Sequence, residues 1–267
     1  MLLSKLFKKK DNTPHCAVVI VAAGSSLRMG GDKLMMELCH VPVLARTLLA
    51  FQQSPLVDEI IVVTRMEKIM DVADICKKYG VTKAKKVIRG GTSRMESALA
   101  GVSELSCGTK LIAIHDGARP LVTQDVINRV VYDASVHMSS IPVIPSTDTL
   151  KAVDDDGNVT VPAIPSVDTL KNVEDERVIA TLDRECIMRV QTPQVFDADL
   201  IKGALTVAAA KALPITDDCS AIELMGVKVK AVEGDPNNIK LTTPNDVMLA
   251  EAILRDRGDE YADRTWL

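Results

Sequence analysis

Four short apolar runs, Val18 to Val21, Ile60 to Val63, Val87-Ile88 and Leu111 to Ile114, each lead into an amphipathic helical pattern. No other feature narrows the fold as far. Unbroken runs of branched apolar residues, without polar alternation, read as strands buried on both faces. Pro42 opens a helix that carries Val43, Leu44, Thr47, Leu48 and Phe51 on one face. A second helix spans 67 to 79 and stops before Gly80. Ser93 and Glu96 spell a capping box for the third, and Thr123 caps a fourth reaching about His137. This alternation predicts an α/β fold with a mostly parallel sheet covered on both faces. Ligands in such sheets bind beyond the carboxyl ends of the strands. Gly24, Gly91 and Asp116 each follow a strand, so they are expected to converge there.

A chain of 267 residues, 47% hydrophobic, suits one large domain with room for an appendage. The expected limits are a basic N-terminal extension over 1–16, a domain over 17–258 and a polar tail over 259–267. In the extension, Lys5, Lys8, Lys9 and Lys10 lie beside Leu2, Leu3, Leu6 and Phe7, the wrong order for a secretory signal. No segment approaches the roughly 20 apolar residues needed to span a bilayer. A net charge of -4 gives no basic field, so no nucleic-acid partner is expected. Six cysteines are scattered without a C-x-x-C pair, which indicates neither zinc nor disulfides and favours a cytoplasmic setting.

The first strand breaks into Ala22-Ala23-Gly24-Ser25-Ser26, with Arg28 and Lys33 beyond. Small residues after a strand let backbone N–H groups approach a phosphate chain, and the two cations can neutralise it. The Walker pattern fails because Met29 stands where its second glycine belongs. The spacing of Gly24 and Gly30 also fails the dinucleotide pattern, which excludes a nicotinamide-dependent dehydrogenase. At the end of another strand stands His115-Asp116-Gly117-Ala118-Arg119-Pro120. Asp116 there can hold Mg²⁺ directly or through water, and Arg119 can grip a phosphate oxygen. His115 reads as a packed or capping residue.

Residues 141 to 184 form an insertion of another kind. Ile144-Pro145-Ser146-Thr147-Asp148-Thr149-Leu150-Lys151 recurs, 20 residues on, as Ile164-Pro165-Ser166-Val167-Asp168-Thr169-Leu170-Lys171. With Asp155-Asp156-Gly157-Asn158 as turn chemistry, this predicts a tandem duplication within a protruding hairpin arm.

The AAG-x-x-x-RM…K stretch resembles the signature loop of nucleotidyltransferases that activate sugar and polyol phosphates. HDGARP, GGTSRMESALAG, LDRECIMRVQTPQVF, ITDDCSAIE and NNIKLTTPNDV are similar, in order, to motifs of the 2-C-methyl-D-erythritol 4-phosphate cytidylyltransferase family. The resemblance implies a Rossmann-like, mostly parallel sheet of the nucleotidyltransferase type with a β-hairpin dimerisation arm, and hence a homodimer. It implies transfer of a cytidylyl group from CTP to methylerythritol phosphate in the non-mevalonate isoprenoid pathway, with Mg²⁺ bound near Asp116. By that likeness Ala22, Ala23, Gly24, Ser25 and Ser26, with Arg28 and Lys33, hold the triphosphate, and Gly91 and Ser97 meet the cytosine or ribose. Arg119, Arg184, Thr216 and Lys240 bind the acceptor or the phosphates it meets. Arg28, Lys33 and Lys240 take up charge as the reaction proceeds. The arm's threonine is Thr149 or Thr169; distance to Asp183-Arg184 favours Thr169. Met188 replaces a usual tryptophan, as a packing change, and Asn237 replaces a frequent acid for which Asp235 could substitute. Ribitol-5-phosphate cytidylyltransferases share the loop, but Ala118 and Asp183-Arg184 favour methylerythritol phosphate. A nucleotide-binding regulator without catalysis is the remaining alternative.

Overall fold

The computed structural model describes residues 13–24, 32–145, 152–153, 159–160, 171–174, 177–181 and 188–259. The main sheet contains β1 (Cys16–Ala22), β2 (Val57–Thr64), β3 (Ala84–Arg89), β4 (Leu111–Asp116) and β5 (Ser139–Pro145). It is completed by β6 (Met188–Val190), β7 (Gln194–Asp197) and β8 (Lys230–Glu233). Their order is β6-β5-β7-β4-β1-β2-β3, with β8 also on β5. Helices α1 (Val43–Gln53), α2 (Ile69–Lys78), α3 (Arg94–Ser103), α4 (Gln124–His137), α5 (Ala198–Ala210), α6 (Asp218–Glu223) and α7 (Pro244–Asp256) accompany it.

The expected parallel core is present. β1 pairs in parallel with β2 and β4, through Ile20↔Val62 and Ile20↔His115, and β2 pairs in parallel with β3. The other half departs from simple alternation. β7 runs antiparallel to β4 and β5, β6 runs antiparallel to β5, and Gln191-Thr192-Pro193 interrupts the path from β6 to β7.

Strand alternation divides the interior into two layers. Val18, Ile20, Ile60 and Val62 face a cluster that includes Leu44, Leu48 and Phe51 of α1 and Val126 and Val130 of α4. Val19, Ile61 and Val63 face the other cluster, with Ala98 and Val102 of α3 and Ile201 and Leu205 of α5. α3 rides close to the sheet: a Cβ on Gly101 would collide with Val19 and Val63. A small hairpin, like β6 and β7, was not predicted. Glu37–Leu38 pairs antiparallel with Val41–Pro42 around a two-residue turn in which Cys39 and His40 have φ of 46° and 63°.

The duplicated region contributes Ala152–Val153, Val159–Thr160, Lys171–Glu174 and Arg177–Thr181, a separate four-stranded antiparallel sheet. Each copy thus supplies strands of hairpin type, as its composition predicts. Among the described residues no helix is long and apolar enough to cross a membrane.

Candidate active site

β1, β2, β3 and β4 end together, with Val21 level with Asp116, Ala22 level with Thr64 and Thr64 level with Arg89. Beyond these ends lies a cavity of about 400 Å³. Ala22, Ala23, Gly24, Lys33, Gly91, Arg94, Ser97, Asp116 and Lys240 all line it. Gly24, Gly91 and Asp116, the three residues expected to converge, are thus together in one lining.

The loop after β3 is held rigid. A Cβ on Gly90 would fall 2.7 Å from both Ala23 Cβ and Ser97 Oγ, and one on Gly91 would collide with Glu96. Only glycine allows the backbone this near its neighbours. Ser93 Oγ accepts from Glu96 N at 3.1 Å, while the Glu96 carboxylate accepts from Thr92 N at 2.6 Å and Ser93 N at 3.3 Å. Ser97, 1% exposed, donates to Ser93 O and accepts from Gly91 N, so its hydroxyl is committed to the loop.

Asp116 is the carboxylate of the cavity. Its Oδ2 lies 2.7 Å from Lys240 Nζ and 3.9 Å from Arg119 Nε, and its Oδ1 lies 3.2 Å from Arg94 Nε. Burial alone would raise its pKa; Lys240, Arg94 and Arg119 override that effect and hold it well below the usual carboxylate range. Arg119 is tied in turn to Asn238 O at 2.8 Å, and Lys33 Nζ donates to Leu241 O at 2.9 Å. Residues 238–241 therefore close the cavity from the opposite end of the chain.

His115 is wholly buried against Phe51, ring centroids 4.8 Å apart. Burial lowers its pKa to about 3, so the ring is neutral at pH 7. Thr192 Oγ1 sits 3.0 Å from Nδ1 and accepts from Asp116 N at 3.1 Å. With Nε2 3.2 Å from Arg119 O, the consistent assignment is an Nε2–H donor and a Thr192 hydroxyl donating to Nδ1. The β6–β7 interruption is thus a bracket. Gln191 Nε2 donates to Asp235 O at 2.8 Å, Asn238 Nδ2 donates to Thr192 O at 3.0 Å, and Gln194 Nε2 donates to Asp217 Oδ2 at 2.8 Å.

Sequence reasoning missed Arg94 and Asp218. Arg94 reaches from Asp116 to Asp218, whose Oδ2 is 2.8 Å from its NH2. Both stand inside motifs already recognised, GGTSRMESALAG and ITDDCSAIE, and that was the available signal. Thr216, by contrast, is exposed and does not line the cavity; its hydroxyl meets Ser220 Oγ at 3.1 Å. Asp235 does not line the cavity and pairs with Arg257 at 2.9 Å. Met188 is 43% exposed in the single chain. Arg28, Ser25, Ser26, Thr149, Thr169 and Arg184 lie outside the described residues. Among the described residues no three His, Cys, Asp or Glu side chains group as a metal site.

A mixed, mostly parallel α/β sheet with small residues after its first strand, facing cations and, among the described residues, one carboxylate, is the architecture of a nucleotidyltransferase. The family model for 2-C-methyl-D-erythritol 4-phosphate cytidylyltransferase matches residues 16–161 and 158–256. The chain belongs to that family. It is 39% identical over 243 residues to the enzyme of that name from Halalkalibacterium halodurans, covering 90% of this chain and 97% of the relative. The relative from Dehalococcoides mccartyi is 39% identical over 238 residues, covering 89% and 95%. Among solved structures, 4-diphosphocytidyl-2C-methyl-D-erythritol synthase from Anaerococcus prevotii superposes with a TM-score of 0.72 at 30% identity, covering 91% of this chain and 97% of that one. The family enzyme from Thermus thermophilus gives 0.65 at 28% identity, covering 90% and 99%.

Proposed function

We propose that this chain joins CTP and 2-C-methyl-D-erythritol 4-phosphate, giving 4-diphosphocytidyl-2-C-methyl-D-erythritol and pyrophosphate. The observation that carries this reading is Asp116, ringed by Lys240, Arg94 and Arg119 and facing the small-residue loop after β1. Both reactants are polyanions, and a cation-rich cavity with one carboxylate suits two phosphate groups that must meet.

The acceptor phosphate oxygen is already anionic, so no strong general base is required. It attacks the α-phosphorus of CTP in line, and the β,γ-pyrophosphate leaves. Catalysis is then mostly positioning and charge neutralisation. The backbone of Ala22 to Ser26, with Arg28 and Lys33, takes the triphosphate; Gly91 and the buried Ser97 shape the base and ribose end. Lys240, Arg119 and Arg184 hold the acceptor phosphate. Thr216, one residue before the cap of α6, contributes through that loop. Asp116 would hold Mg²⁺, which would supply neutralisation of the charge that develops as the bond to pyrophosphate breaks. Asp116, a single carboxylate among cations, fits a metal that arrives with phosphate ligands rather than one caged by protein. We infer a cytoplasmic homodimer assembled through the arm, with Thr149 or Thr169 reaching the neighbouring site, and no nucleic-acid partner.

The test is pyrophosphate release from CTP and Mg²⁺ with methylerythritol phosphate, run beside ribitol 5-phosphate. Release with methylerythritol phosphate alone is expected. Release with only ribitol 5-phosphate, or with neither, would overturn the proposal.

A further inference from the structure

Asp218 stands at the first residue of α6 with no solvent exposure. Its Oδ2 lies 2.8 Å from Arg94 NH2, and among the described residues its Oδ1 takes no hydrogen bond. Burial pushes the Asp218 pKa up and Arg94 opposes that shift, and a buried ion pair is a poor device for stability alone. What the pair does is geometric. The rigid fork of Arg94 is divided between two carboxylates, NH2 on Asp218 and Nε on Asp116. A lysine, as one point charge on a flexible stem, could not hold both in one orientation.

Both ends of this link are braced. Arg94 opens α3 behind the Ser93–Glu96 capping box. The start of α6 is held by Gln194, which donates to Asp217 Oδ2 at 2.8 Å and accepts from Cys219 N at 2.9 Å. Arg94 lines the cavity, whereas Asp218 does not. The charge behind Arg94 therefore acts on the reaction through Arg94. Resting on the cytidylyl-transfer reading of the cavity, we propose that Asp218 is a positioning residue: it fixes the Arg94 guanidinium, which in turn aims the Asp116 carboxylate into the cavity.

The experiment is a double-mutant cycle on the full chain, with Asp218→Asn, Arg94→Lys and the pair together. Turnover and KM for CTP are measured by pyrophosphate release, and the folded fraction by thermal unfolding. Asp218→Asn keeps the shape and removes the charge. Arg94→Lys keeps the charge and removes the fork. Each single variant is expected to lower kcat about 10-fold, with KM for CTP little changed, the scale seen when a supporting partner of a site residue is lost. The double variant is expected to be no slower than the slower single one. Multiplied losses, or a folded Asp218→Asn enzyme with wild-type kcat, overturn the inference. Should Asp218→Asn fail to fold, Arg94→Lys decides, and wild-type kcat there overturns it. A wild-type chain that releases no pyrophosphate overturns the reading of the cavity and this inference with it. An active wild type beside an undisturbed variant overturns the inference alone.

Discussion

His115 carries a neutral ring in a place where its neighbours are charged, and this has a measurable consequence. Its pKa of about 3 lies below the ordinary 6.5 of the unfolded chain, the shift arising first from burial. The unfolded chain takes up this proton first as pH falls. The contribution to stability is therefore complete above about pH 6.5 and is lost progressively towards pH 3. His115→Gln keeps a donor for Arg119 O and removes the titration. Its melting temperature is expected to vary less than the wild type's between pH 6.5 and 4.5; parallel curves would refute the assignment. Lys33 is the second test at this scale. It joins the loop after β1 to Leu241 O and lines the cavity, so Lys33→Ala is expected to lower turnover by roughly 10², the loss of one preorganised donor. Near wild-type turnover would refute its role. Gly91, Asp116 and Lys240 were legible in the sequence because each stands in a motif with its own spacing. Arg94 and Asp218 also stand in motifs, but the contact that gives them a role joins positions far apart in the chain, so no spacing singled them out. Among the consecutive polar residues Thr216, Asp217 and Asp218, sequence alone does not tell which one turns inward.

α3 serves the site through its seat on the sheet as much as through its first turn. Gly101 leaves no space between the helix and Val19 and Val63, while Ser93 and Glu96 fix the other end beneath the cavity. Gly101→Val is expected to lift the helix and cost about 2 kcal/mol or more, overpacking being compounded by poorer helix propensity. Chemical denaturation measures this, and an unchanged midpoint would show that α3 has slack the structure does not suggest. The parallel strands β1, β2 and β4 were readable because each is an unbroken apolar run. β5 was harder to register, since Ser139 and Ser140 are polar yet wholly buried where they pair with β7. The turn at Cys39 and His40 carries no glycine or asparagine, so nothing in its composition announces two residues of positive φ.

At the scale of the whole molecule, the duplication is what sets this chain apart from a single pass of its family's pattern. The family model runs to residue 161 and begins again at 158, so the overlap falls between the two IPS-x-DTLK copies. The strands show how the extra unit is accommodated. Lys171–Glu174 pairs directly with Arg177–Thr181, through Lys171↔Thr181 and Glu174↔Arg177, and is a complete hairpin by itself. Ala152–Val153 and Val159–Thr160 pair with each other and join that hairpin through Val159↔Val173. Deleting 151–170 removes the added hairpin entire and joins Leu150 to Lys171, restoring the same DTLK junction. Thr149 then stands where Thr169 now stands relative to Arg184, since both the offset and the deletion are 20 residues. The shortened chain is expected to fold, to sediment in the same assembly state as the full chain, and to release pyrophosphate within about 3-fold of the full chain's rate, because every residue lining the cavity lies outside the deletion. Sedimentation and the pyrophosphate assay check this together. A shortened chain that folds and associates yet has lost turnover would mean that the copies are not equivalent, and that the second threonine has a part in the reaction that the first cannot take.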